Sequence, residues 1–204
     1  MERHAVRAEE MKPGPILRRH FYDRPTLEVA RELLGKLLVH GECAGIIVET
    51  EAYTSDGDLA AHAAAGLTPR TKVIFGPPGH AYVYLSYGIH ECFNIVAERE
   101  GVAGCVLIRS LQPYSGIEVM RRRRPAEKKD MRLASGPGNL ARVMGITRED
   151  YGRDLTRGSF VVRALPDLPP FEIEVTTRIG ITKTIDRPYR FFIRGNASVS
   201  RTAI

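Results

Sequence analysis

The chain has 204 residues and a mass of 22.7 kDa, with 43% hydrophobic and 26% charged residues. This is the balance of one soluble globular domain and excludes a disordered, collagen-like or disulfide-stapled chain. Thirty Lys+Arg against 24 Asp+Glu leave a net charge of +6 and a pI near 9.4, which fits a polyanionic partner without requiring one. No apolar run approaches the ~20 residues of a membrane span. The opening MERHAVRAEEMKPG mixes acids and bases with no apolar centre, so no secretory signal is expected and the cytoplasm is the expected compartment.

In chain order, residues 1–15 are polar, contain Pro13 and Gly14, and are expected to form a flexible N-terminal arm. Residues 16–204 are expected to form a single domain. A helix is predicted from Pro25 to about Leu34, with Pro25 in its first turn and Gly35 as its stop. Strands are predicted from Lys36 to His40 and over GIIVETEAY, 45–53. Residues 54–80 read as a long connecting region, and loops of that length inside a compact domain are usually functional.

Residues 80–98 read as two strands joined at Ser86-Tyr87-Gly88, where the glycine supplies the positive φ of a tight hairpin. GCVLIRSLQP, 104–113, is a further strand, expected to end at Pro113. Helices are predicted over 115–124 and 134–146, the second stopping at Gly145. Three late strands are predicted over 159–164, 171–178 and 190–194. This pattern predicts an α+β fold: a single mixed domain with a mainly antiparallel curved sheet, flanking helices and a protruding β-hairpin. Neither GxGxxG nor GxxxxGK[ST] is present, so a βαβ nucleotide-binding fold is not expected.

The side-chain period of a strand puts Glu49, Glu51 and Tyr53 on one face. Two carboxylates on an apolar strand are costly if buried without partners. They are therefore solvated, ion-paired, or engaged in acid–base work. Arg109, inside CVLIRSL, shares a face with Cys105 and Leu107 and is a candidate partner for Glu51. Such a pair is able to hold and orient a water between carboxylate and guanidinium.

Tyr82 and Tyr84 share a face of the hairpin. Tyr87 falls at its turn, where it either packs on the surface or projects as a wedge that enters a base stack. Asn94 is either a satisfied structural amide or a reader of a base edge. His62 stands alone in DLAAHAAAG, with no second ligand at metal spacing, so no metal or other cofactor is expected. Cys43, Cys92 and Cys105 are widely spaced among apolar neighbours and read as reduced core thiols. The tetrad Arg121–Arg124 is either a solvated helix end or a phosphate contact.

VETEAY (48–53), AAH (60–62), LTPR (67–70), PGHAYVYLSYG (78–88), CFN (92–94), CVLIRSLQP (105–113) and GPGNL (136–140) occur in one order. Together they resemble the 3-methyladenine (alkyladenine) DNA glycosylase family of the human type, from about Arg19 to Ser200. RIG (178–180) and RPYRFFIRG (187–195) agree with it.

The resemblance implies a monofunctional, metal-free hydrolase that excises damaged purines from double-stranded DNA. It implies Glu51 as general base, with Arg109 and the backbone carbonyl of Ile179 holding the water. Tyr53, His62 and Tyr84 would form the base pocket, Asn94 would exclude normal guanine, and Tyr87 would be the wedge. Arg70, Asn139 and Arg121 would touch the DNA backbone, with Asn139 standing where mammalian members are expected to carry lysine. A monomer is expected. A non-catalytic nucleic-acid binder and an enzyme acting on a free nucleoside or formyl-transfer substrate are the competing readings.

Overall fold

The computed structural model describes residues 11–200. A single turn, α1 (Arg19–Tyr22), precedes α2 (Thr26–Glu32), β1 (Leu37–His40) and β2 (Cys43–Thr54). Short 3-10 turns at His62–Ala65 and Lys72–Phe75 interrupt the long connection. Then come β3 (Ala81–Ser86), β4 (His90–Val96), β5 (Gly104–Ser115), α3 (Ile117–Arg123), α4 (Pro137–Met144), β6 (Phe160–Arg163), β7 (Ile173–Thr176) and β8 (Arg190–Ile193).

All pairings between these strands are antiparallel, in the order β3-β4-β5-β2-β1-β6. The long strand β2 pairs with β5 along one edge. Along its other edge it pairs first with β1 and then, from Glu49 to Glu51, with β8, which carries β7 beyond it. This divided edge lets the sheet curl around its centre, and the mixed α+β single domain expected from the pattern is what the chain forms.

The main core fills the side of the sheet covered by the helices. Val29 and Ala30 from α2 and Leu33 at its C-cap join Ile46, Val48, Ala52 and Ile108 there, and Leu140 and Val143 come from α4. The Thr50 hydroxyl donates to the Ala30 carbonyl at 2.8 Å, so even the polar member of this face is satisfied. A smaller cluster of Ile74, Tyr82, Val96, Ala103 and Cys105 lies under the long connection.

Several boundaries differ from the sequence reading. Strand β5 runs through Pro113 to Ser115 instead of ending there. Pro113 sits opposite Gly45 beside a register shift, where a missing N–H is tolerated. The one-turn α1 was not expected, being too short for a periodic signal. The last predicted helix begins at Pro137 instead of 134 and stops, as expected, at Gly145, whose φ is 72°. Of the expected arm over 1–15, residues 1–10 lie outside the described residues. Met11 is buried, and the Gly14 amide donates to the Ala164 carbonyl at 2.8 Å, so the described part is docked on the body of the fold.

Candidate functional site

Two β-bulges shape the centre of the sheet. In the β2–β5 ladder, Ile47 pairs with Leu111 and Glu49 with Ser110, so Val48 is the extra residue. Thr50 then pairs with Ile108, so Arg109 is the extra residue on β5. Bulges re-aim side chains and recur beside active sites. Here they turn Arg109 onto the two carboxylates of β2. Its Nε donates to Glu49 Oε1 at 3.1 Å, and its NH1 lies 3.3 Å from Glu51 Oε1.

Both carboxylates are buried, yet their surroundings differ. Glu49 accepts from Arg109, from Arg190 Nε on β8 (2.7 Å), from Ser110 Oγ (2.8 Å) and from the Ser200 amide (2.7 Å) and hydroxyl (2.8 Å). Burial alone would raise its proton affinity, but Arg109, Arg190 and the Ser200 and Ser110 donors outweigh burial and hold it below the ordinary glutamate range. Glu51 has fewer partners: Arg109, the Ile179 amide (2.8 Å) and the Tyr53 hydroxyl (2.9 Å). Its burial outweighs all three, with Glu49 adding repulsion, and its pKa is raised. One acid is thus locked as an anion while its neighbour is made a stronger base, the division of labour seen where two acids take different roles.

A cavity of about 650 Å³ opens beside Arg109, and Glu51, fully buried, lies behind its wall in contact with the lining residues Tyr53, Arg109 and Ile179. Its walls include Tyr53, His62, Tyr82, Tyr84, Asn94 and Ile179, so the expected pocket residues do come together. His62 meets Tyr84 edge-on, with centroids 4.5 Å apart. Its Nδ1 lies 2.8 Å from the Tyr82 hydroxyl, and its Nε2 lies 3.3 Å from Arg70 NH2. A guanidinium only donates, so Nε2 accepts and the proton belongs on Nδ1. Burial first, then Arg70, lower the His62 pKa to about 4, so the ring is neutral at pH 7. Asn94 is buried and donates Nδ2 to the Tyr82 carbonyl at 3.1 Å, which makes it a satisfied amide that also lines the cavity.

The hairpin β3–β4 stands at the cavity's edge. Tyr87 and Gly88 have φ of 49° and 70°, and the Ile89 amide donates to the Ser86 carbonyl at 3.0 Å. Positive φ at both central residues is the requirement of a type I′ turn. A tyrosine there is strained, and its side chain is 88% exposed. Gly138 of α4 lets the hairpin lie this close, because a Cβ there would come within 2.8 Å of the His90 ring.

Ile179 donates its amide to Glu51, a contact beyond the sequence expectation, which named its carbonyl as a holder of the water. Asn139 donates to the Ser135 carbonyl at 2.7 Å inside the first turn of α4. Arg121 pairs with Glu118 and doubly with Asp130 (2.9 and 2.6 Å), so its charge is already matched. Cys43, Cys92 and Cys105 are free and buried, and Cys92 and Cys105 reach the cavity wall.

Three features escaped the sequence reading. Arg190 and Ser200 complete the shell of Glu49. Lys183 lies on the cavity's rim. Arg178 forms a fully buried pair with Asp58 (2.6 and 2.7 Å) and lies 4.6 Å over the Tyr53 ring. The two members of this pair are 120 positions apart, so no local signal marked it. Among the described residues, no group of three or more His, Cys, Asp or Glu is placed to hold a metal ion. No described helix is long and apolar enough to cross a membrane.

A cavity walled by aromatic rings holds a planar ring on its faces, and a raised-pKa carboxylate beside it is able to take a proton from water. Comparison with known proteins identifies the family. Residues 20–197 match the family model described as Methylpurine-DNA glycosylase (MPG). A Methanoculleus marisnigri protein named "Putative 3-methyladenine DNA glycosylase" is 49% identical over 187 residues, covering 89% of this chain and 96% of its own. Proteins of the same name from Chlorobaculum tepidum and Alkaliphilus oremlandii are 46% and 48% identical. They cover 89% and 91% of this chain, and 89% and 98% of their own. The chain belongs to the methylpurine-DNA glycosylase family, whose members are hydrolases acting on N-glycosyl bonds.

Proposed function

We propose that the chain is a monofunctional DNA glycosylase that takes alkylated or deaminated purines from double-stranded DNA: 3-methyladenine, 7-methylguanine, hypoxanthine and ethenoadenine. It hydrolyses the N-glycosidic bond with a water activated by Glu51 and so initiates base excision repair. The observation that carries this reading is the buried Glu51, its pKa raised beside a carboxylate held ionised, in contact with three residues that line an aromatic cavity: Tyr53, Arg109 and Ile179.

A base inside the duplex is out of reach, so the nucleotide rotates out at a cost of a few kcal/mol, less at a damaged pair. Tyr87 stacks into the vacated space, offsetting roughly 1–3 kcal/mol of that cost. The extruded ring lies among Tyr53, His62 and Tyr84, with Asn94 opposing the 2-amino group of normal guanine. Bond cleavage places positive charge on the sugar, as in glycoside hydrolysis. The Glu51 carboxylate stabilises that charge and accepts a proton as the water oxygen bonds to the sugar carbon and the purine departs with the bonding electrons. Arg109 and the Ile179 carbonyl position the water. Arg70, Asn139 and Arg121 are the proposed backbone contacts, and Arg121 contributes least because Asp130 already binds it.

The protein acts as a cytoplasmic monomer on this reading, with the motif order of the human-type members. The testing experiment is single-turnover base release from duplexes carrying hypoxanthine, ethenoadenine or normal adenine. Release from the lesions alone is expected. No release, with salt-sensitive binding retained, identifies a non-catalytic binder. Lys183 gives the monofunctional assignment a direct check: borohydride is expected to trap no covalent DNA adduct, and an adduct on this lysine would refute it.

A further inference from the structure

The pocket's aromatic rings invite a cationic guest, because a methylated purine carrying positive charge gains cation–π attraction from tyrosine faces. In this structure two of those rings already carry cations. The Arg178 guanidinium lies 4.6 Å from the Tyr53 centroid, and the Arg70 guanidinium lies 5.1 Å from the Tyr84 centroid. The two arginines differ in one respect. Arg178 is matched by Asp58 in a buried two-bond pair, so its field on the cavity is largely cancelled. Arg70 lines the cavity, and among the described residues no carboxylate forms a salt bridge with it. Its nearest polar partner is the neutral imidazole of His62, at 3.3 Å.

Resting on the glycosylase reading, we propose that Arg70 is a specificity-determining residue that disfavours positively charged purines and so selects for neutral lesions. Two physical effects act in the same direction. Its charge repels a cationic base held against Tyr84 or His62. Its position over Tyr84 also engages the ring's negative face, which reduces what that face offers to a second cation. A neutral base such as hypoxanthine or ethenoadenine meets neither penalty. Cationic purines remain substrates because the positive charge makes the base a good leaving group, which offsets weaker capture. This role is separate from any contact of Arg70 with the DNA backbone, since a phosphate contact serves every lesion alike.

The test compares single-turnover release of 7-methylguanine and of hypoxanthine from otherwise identical duplexes, by the native protein, Arg70→Gln and Arg70→Lys. Arg70 is an exposed side chain, so both variants are expected to fold, and thermal melting checks this. The ratio of the 7-methylguanine rate to the hypoxanthine rate is expected to rise about tenfold in Arg70→Gln, the scale of one lost cation–cation or cation–π contribution. In Arg70→Lys the charge persists and the ratio is expected to stay within about twofold of native. Equal loss of both rates in Arg70→Gln, leaving the ratio unchanged, would overturn the proposal and leave Arg70 as a backbone contact alone. A similar rise in both variants would overturn it too, because shape and not charge would then be responsible. No release of either base by the native protein would refute the glycosylase reading itself, a result recognisable before any variant is compared.

Discussion

Glu51 Oε1 accepts the Ile179 amide at 2.8 Å across 128 positions of sequence. The bond joins the central strand β2 to the loop between β7 and β8, and it uses one oxygen of the carboxylate. The other oxygen receives the Tyr53 hydroxyl. Glu51 is therefore fixed in orientation from two sides while remaining the less stabilised of the two buried acids.

Glu51→Gln is expected to lose about 10²–10⁴ of the single-turnover rate, the usual range for a general base, while lesion-duplex affinity is retained. Near-native turnover would eliminate Glu51 as the base. The same variant is not expected to lower the melting temperature at neutral pH. The folded-state pKa of Glu51 is raised, so ionising it opposes folding, and that opposition grows as pH rises through the raised value. Arg109 meanwhile keeps its bond to Glu49.

Glu49→Gln is expected to behave in the opposite way. Glu49 satisfies Arg109 and Arg190, both buried, and losing its charge leaves them uncompensated. Removing one member of a buried ion cluster typically costs about 3–5 kcal/mol, and denaturant unfolding at neutral pH is expected to register a loss of that order. Because the folded pKa is lowered, Glu49 contributes stability above the ordinary glutamate range, and that contribution is lost as pH falls through the folded value. A Glu49→Gln protein as stable as native would show the cluster to be energetically neutral.

The rate of base release is expected to fall on the acid side as Glu51 becomes protonated, with the midpoint above the ordinary glutamate value. A single-turnover pH profile measures this. A plateau continuing into the ordinary glutamate range would contradict the raised pKa.

His62 is expected to stay neutral until about pH 4. A histidine whose folded pKa is depressed contributes stability above its unfolded value, near 6.5, which is lost as pH falls through the folded one. Imidazole NMR is expected to show the Nδ1-protonated tautomer and no titration of this ring at pH 6. A titration near 6.5 would show that neither burial nor Arg70 acts on it.

Tyr87→Ala is expected to leave stability within about 0.5 kcal/mol of native, since Tyr87 is largely exposed. Base release from duplex lesions is expected to drop because the vacated stack is no longer filled. Unchanged release would remove the wedge role.

The strand 45–53 shows what was legible and what was not. The period of two put Glu49, Glu51 and Tyr53 on one face, and the structure aligns them towards Arg109. The same pattern left solvation, pairing and acid–base work open, and gave no hint that Glu49 and Glu51 would differ. That difference comes from Arg190 and Ser200, which approach Glu49 from 141 and 151 positions away. Arg109 was legible as a polar residue in an apolar strand, but the bulge that aims it was not. A bulge follows from the register of two strands and not from either strand alone.

By itself, the order of motifs determined the family resemblance, the strand-rich α+β pattern and the identity of the chemical groups. Local rules suffice for these, since side-chain periodicity and turn chemistry act over a few residues. Only the tertiary structure decided which carboxylate is held ionised, which is made basic, and which guanidinium lacks a counter-charge in the cavity. Proton affinity and charge balance depend on burial and on groups brought within a few ångströms by folding, and sequence separation carries no information about either.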